Sequence, residues 1–182
     1  ARDYAVREIG AIEGGNQTLN RFGKYLAERV GGNDSSSPAV VRVSRSFAAP
    51  AERVFDAWID PASISQWMFG PALRDEEVLH IQTEPRVGGR FSFLVRRQGD
   101  EIDHVGTYRE VDRPRRLAFT WGIVGLSEDE SVVTVEIRPA NGGCELTLTH
   151  EKVWAAYAAR TEEGWATMLD AMATYFASTR KA

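Results

Sequence analysis

The side chains best suited to acid–base, nucleophilic or metal chemistry are few: three histidines, His80, His104 and His150, and one cysteine, Cys144. No two of them stand at close ligand spacing, neither as histidines at i and i+4 nor as a Cys-x-x-Cys pair, so neither a metal site nor a resident cofactor is expected. A hydrolytic triad needs a nucleophile on a recognisable elbow, and Ser127, Ser131 and Cys144 fall instead at turns or strand edges. The pair Gly88-Gly89 in RVGGRF precedes a strand and has no adjacent lysine. It therefore reads as a tight turn and not as a phosphate cradle. General acid–base chemistry is what remains. In CELTLTHEK, Leu146 and Leu148 alternate with Thr147 and Thr149, and His150 is the next residue on the leucine face. His104 alternates with Gly106 and Tyr108, although a bulge near Gly106 would switch its face. Two imidazoles meeting in an interior could orient or protonate a bound carbonyl or phenol. As a core residue, His150 would instead be satisfied by backbone or by Glu151.

The aromatic residues suggest what such an interior would be lined with. Trp67, Phe91, Phe93, Phe119, Trp121 and Trp165, with Met168 and Met172, all fall on inward faces by periodicity. They read as core, yet a ligand pocket is also built from apolar and aromatic walls with a few polar groups. Methionines would let one wall adapt to the occupant. Tyr108, His104 and His150 would be the sparse polar anchors. Arg45 and Arg90 would either bring charge to the mouth or stay solvated.

These residues must be positioned by the elements around them. VVRVSRSF is a strand with Val41, Val43 and Arg45 on one face. APAERVFDAWID places Val54, Phe55, Trp58 and Ile59 in a helical stripe with Pro50 in its first turn. Asp60-Pro61 starts a second short helix carrying Ile64 and Trp67 inward. Strand patterns follow in EVLHIQTEP, RFSFLVRRQ, EIDHVGTYREV, RRLAFTWGI, SVVTVEIRP and CELTLTHEK. Turns at Gln98-Gly99-Asp100, Asp112-Arg113-Pro114 and Asn141-Gly142-Gly143 separate several of them, which favours an antiparallel meander. TEEGWATMLDAMATYFAST closes the chain as a long amphipathic helix capped by Thr161. Before all this, residues 1–38 form an extension. Leu19, Phe22, Leu26 and Val30 mark a helix over about 17–30, and a Ser/Gly linker leads to the main domain at 39–182. That helix needs a partner surface, either its own domain or a second copy in a homodimer.

The blocks APAERVFDAWIDPASISQW, EPRVGGRFSF, GTYREVDRPRRLAFTW, VTVEIRPANGGCELTLTH and EEGWATMLDAM resemble, in order and spacing, an AHSA-type domain, the activator of heat-shock-protein ATPase homologue. That family lies in the START-like, birch-pollen-allergen-like (SRPBCC) superfamily, and the resemblance covers roughly Ala39 to Phe176. It implies an α+β helix-grip fold: a curved antiparallel sheet of about six to seven strands around a long C-terminal helix, with two short helices after the first strand. The superfamily includes lipid and hormone carriers, aromatases and cyclases. The resemblance thus implies a small, largely apolar or aromatic, lipid-like ligand held between sheet and helix. The site would comprise Trp67, Phe91, Phe93, Tyr108, Phe119, Trp121, His150, Trp165, Met168 and Met172. Two alternatives accompany this reading: a cyclase- or hydrolase-like enzyme using His150 and His104, and a co-chaperone-like module that regulates a heat-shock-protein ATPase in a stress response. The residue set leans toward binding over turnover.

Composition narrows the classes further. The 182 residues carry 22 basic and 26 acidic side chains and a formal net charge of −4, without the basic stripe that nucleic acid requires. A single cysteine fits a reducing cytoplasm. No apolar run reaches bilayer length, and ARDYAVREIG lacks the apolar core of a signal peptide, so neither insertion nor export is expected.

Overall fold

The computed structural model describes residues 38–179 apart from Asp75, Leu126 and Asn141, and for residues 127–130 it describes the backbone alone. The expected helix over 17–30, its linker up to Ser37 and any dimer contact it makes lie outside the described residues.

Strand β1 spans Pro38–Phe47 and is followed by helices α1 (Ala51–Asp56) and α2 (Pro61–Trp67). Six strands come next: β2 (Glu77–Thr83), β3 (Arg90–Arg97), β4 (Asp100–Asp112), β5 (Arg116–Ile123), β6 (Ser127–Ala140) and β7 (Gly143–Trp154). A short 3₁₀ turn, Ala155–Tyr157, leads into α3, Ala158–Thr179. The strands form one seven-stranded sheet in the order β1-β7-β6-β5-β4-β3-β2, each pair antiparallel. The chain thus starts at one edge, crosses through α1 and α2 to the opposite edge at β2, and meanders back until β7 lies beside β1. The sheet curves about α3, giving the α+β helix-grip architecture.

Local chemistry explains the punctuation. Pro50, extended at φ −60° and ψ 149°, is the cap residue of α1, one place before its expected position in the first turn. Asp60 caps α2 by accepting from the Ser63 backbone N–H at 2.8 Å, and Pro61 takes the first helical position, where no N–H is needed. Trp67 on α2 donates its indole N–H to the Ala57 carbonyl at 2.8 Å, which ties the two short helices together. Gln98 and Gly99 link β3 to β4 with φ of 53° and 96°, the positive pair that a two-residue hairpin turn demands.

One face of the sheet is largely apolar, and the alternation is clearest on β7. On β7, Cys144, Leu146, Leu148 and His150 are buried while Glu145 and Glu151 are exposed. Helix α3 covers that face with Trp165, Met168, Leu169, Met172 and Phe176, spaced as an amphipathic helix requires. Arg45, on the same face of β1 as Val43 and Phe47, reaches Asp170 on α3 at 2.7 Å and clamps the helix edge to the first strand. Thr161 is a buried residue of the first turns and not the cap, because the helix begins at Ala158.

Gly106 marks where β4 presses into its neighbours. A Cβ there would lie 1.9 Å from the Thr120 carbonyl oxygen and 2.4 Å from Cζ of Phe91. The Thr107 N–H next to it bonds the Thr120 hydroxyl at 2.9 Å. The register shift in β4 comes later, between Tyr108 and Glu110, instead of near Gly106. His104, Gly106 and Tyr108 therefore keep one face, and His104 and Tyr108 both point into the core.

Candidate functional site

The ten residues expected to line a ligand cavity are all buried in the interior. Trp67, Phe91, Phe93, Tyr108, Phe119, Trp121, His150, Trp165, Met168 and Met172 are each at most 4% exposed. They come from α2, β3, β4, β5, β7 and α3, so it is the curvature of the sheet about α3 that brings them together. Phe91 stacks on Phe93 at 4.7 Å between centroids and meets Tyr108 at 5.5 Å, Phe119 at 5.6 Å and Trp121 at 5.9 Å. Trp121 in turn reaches Trp165 on α3 at 5.9 Å. These separations are those of favourable edge and offset ring contacts. Burial pushes the Tyr108 phenol well above its ordinary pKa.

His104 is fully buried and stacks on Trp121 at 5.4 Å and on Phe69 at 5.6 Å. Phe69, just beyond α2, was not among the expected wall residues, and its buried position follows from the chain turning inward before Gly70-Pro71. His80 is exposed on β2 and belongs to no interior group.

His150 sits between Val41 of β1 and Val133 of β6, and its ring meets Trp165 edge to face at 5.9 Å. Its partner is neither the backbone nor Glu151, which is exposed on the other face. It is the Trp165 indole N–H, which donates to Nδ1 at 3.0 Å. An indole nitrogen can only donate, so Nδ1 must hold a lone pair and the neutral ring must carry its proton on Nε2. Nε2 is buried and has no hydrogen-bond partner. Burial holds the imidazole at a pKa of about 4, so it is neutral at ordinary pH.

A second orphan donor lies nearby. Trp58, in the turn after α1, packs on Trp165 at 6.4 Å and on Trp67 at 4.8 Å, and its Nε1–H is also buried without a partner. Periodicity had placed Trp58 in an ordinary apolar stripe. Its value as a donor follows from long-range packing that no local pattern reports.

Other groups do different work. Glu76, with a side chain 2% exposed, is held by Arg74 at 2.8 Å and by Arg97, closing the α2–β2 connection onto β3. Arg90 is exposed at the start of β3. Among the described residues no cluster of three or more His, Cys, Asp or Glu is placed to hold a metal ion. Depressions on the described surface lie away from this interior. One, of about 490 Å³, lies over the outer face of β1, β7 and β6, and another, of about 370 Å³, between α1, α2 and the end of α3. Neither is lined by any of the ten interior residues. No described helix is long and apolar enough to cross a membrane.

Comparison with known proteins agrees with this architecture. The family model for Activator of Hsp90 ATPase homolog 1-like protein matches residues 48–177. An AHSA1-like protein from Aeromonas hydrophila, solved in solution, shares 25% identity at a TM-score of 0.67, the match covering 78% of this chain and 94% of the other. A Staphylococcus aureus protein of unknown function aligns at 0.68 with 15% identity over 82% of this chain and all of its own. A Chromobacterium violaceum protein aligns at 0.63 with 24% identity, covering 75% and 96%. The last two likenesses are of fold. None of the curated proteins compared with the chain matches it.

Proposed function

The chain belongs to the Activator of Hsp90 ATPase homolog 1-like family, and from that premise we propose that it binds a small, largely apolar or aromatic molecule between the sheet and α3. The observation that carries this reading is the pair of buried, unpartnered N–H groups, His150 Nε2 and Trp58 Nε1, set among aromatic walls. A buried donor left unsatisfied costs about 1–3 kcal/mol, and native proteins rarely keep one without a use. A bound acceptor removes that cost and adds the burial of its own apolar surface. Met168 and Met172, unbranched and on the covering helix, are the walls that yield most cheaply to an occupant.

His150 acts here as an anchor. A general base must present a lone pair to its substrate, whereas the Trp165 bond turns the proton-bearing nitrogen away from the indole. The co-chaperone alternative calls for an exposed partner surface, and the large apolar residues exposed among those described are Val40, Val87 and Val124, which lie on β1 and on two separate loops.

The sequence contains three methionines, so a spectrum of ¹³C-methyl methionine is read directly. Titration with naphthalene is expected to move the Met168 and Met172 signals in a saturable way. No shift of either up to the solubility limit of the probe would refute the reading.

A further inference from the structure

Resting on that reading, the chemistry of the two orphan groups defines the ligand more narrowly. Both are donors, and both are neutral. The Trp165 indole consumes the acceptor side of His150, and the Ser131 hydroxyl is spent on the Trp121 carbonyl at 2.9 Å. Among the described residues the polar residues buried as a whole are Thr120, Thr134, Thr161, Ser131, His104 and His150, and the Glu76 side chain is buried as well. Glu76, whose N–H bonds the Phe69 carbonyl at 2.8 Å, is engaged by Arg74 and Arg97 at the α2–β2 connection and is not a partner of His150 or Trp58. Neither His150 nor Trp58 brings a charge to meet a charged ligand, and burying a charge without a paired one is costly. A hydroxyl would bring a donor of its own to a pair of atoms that can only give protons. A carbonyl oxygen has acceptor lone pairs and nothing to donate.

We propose that the site takes a planar, otherwise apolar molecule bearing an uncharged carbonyl oxygen, received by His150 Nε2–H, with Trp58 Nε1–H as the second donor.

The test compares tetralin with 1-tetralone, ring systems of nearly the same shape that differ by one carbonyl. Affinities are measured for the wild-type protein and for His150→Phe, which keeps a ring but has no N–H. The wild-type ratio of tetralone to tetralin affinity is expected to exceed that of the variant by about tenfold, the effect of one buried hydrogen bond. The loss of the Trp165 partner affects both probes alike and cancels in the ratio. An unchanged ratio overturns the proposal. Should His150→Phe not fold, ¹⁵N-resolved spectra of the wild-type protein decide. Tetralone, and not tetralin, is expected to move the His150 Nε2–H and Trp58 Nε1–H protons downfield, and equal response to both probes overturns the proposal. Tetralin-1-carboxylate is expected to bind more weakly than tetralone at neutral pH, and tighter binding would overturn the uncharged acceptor. Binding of tetralin without any preference for tetralone leaves the ligand-binding reading standing and removes this one. Binding of neither removes both.

Discussion

Acidification is the most direct perturbation of the His150–Trp165 pair. Unfolded, the imidazole titrates near its ordinary 6.5; folded, burial holds it at about 4. Protonation would also place a proton on Nδ1, facing the indole N–H that now donates to it at 3.0 Å. The sign follows from proton counting. Between the two pKa values the unfolded chain binds the proton and the folded one does not, so stability falls as pH falls. The contribution is intact above about pH 7, is lost progressively through the window down to about pH 4, and is constant below it. At about 1.4 kcal/mol per pKa unit, the separation is worth about 3 kcal/mol. Urea denaturation of the wild-type protein and of His150→Gln across this range isolates the effect, because other titrating groups are common to both. Glutamine keeps a carbonyl for the Trp165 N–H but does not titrate. The stability difference, wild type minus variant, should drop by about 3 kcal/mol from neutral pH to about pH 4. Parallel curves, with a difference constant to within about 0.5 kcal/mol, would refute both the burial and the tautomer argued for His150.

Two further outcomes test the scaffold. Gly106→Ala would force a methyl group to within 1.9 Å of the Thr120 carbonyl and 2.4 Å of the Phe91 ring. It should cost about 3 kcal/mol and lower the calorimetric Tm by about 10 °C; a change under about 2 °C would mean that β4 does not press on β5 and Phe91 as described. Asp60→Ala removes the 2.8 Å cap on the Ser63 N–H and should reduce stability in urea by about 1 kcal/mol, with the m-value unchanged.

Much of the frame was legible because period-two and helical patterns are local. Leu146, Leu148 and His150 could be assigned one face of a strand, and Trp165, Met168 and Met172 one face of a helix, without knowing what lay opposite. Errors arose where local signals competed. Thr161 looked like a cap, but the alanine-rich AAYAAR before it is itself a good helix former, and α3 starts at Ala158. The acidic SEDE run hid the first part of β6, which begins at Ser127 because Ile123 of β5 already has Ser127 as its partner. The bulge in β4, which near Gly106 would have switched the face of His104, stands after Tyr108, since Gly106 relieves crowding by lacking a side chain instead of by adding a residue to the strand.

What local pattern could not supply was the direction of a hydrogen bond between layers. Read in the strand alone, His150 could be a satisfied core residue, an anchor or a base, because an imidazole has one donor and one acceptor and either nitrogen can play either part. The choice is made 15 positions later, on α3, by a side chain of a different kind. Had position 165 offered a carboxylate, Nδ1 would carry the proton and Nε2 would present a lone pair, the arrangement of a general base. An indole reverses this. It spends the lone pair, leaves the proton on Nε2, and makes the ring a neutral donor in surroundings that also depress its basicity. The fold brings the strand and the helix together, but the identity of residue 165 decides that His150 turns a donor, and not a base, to its other side.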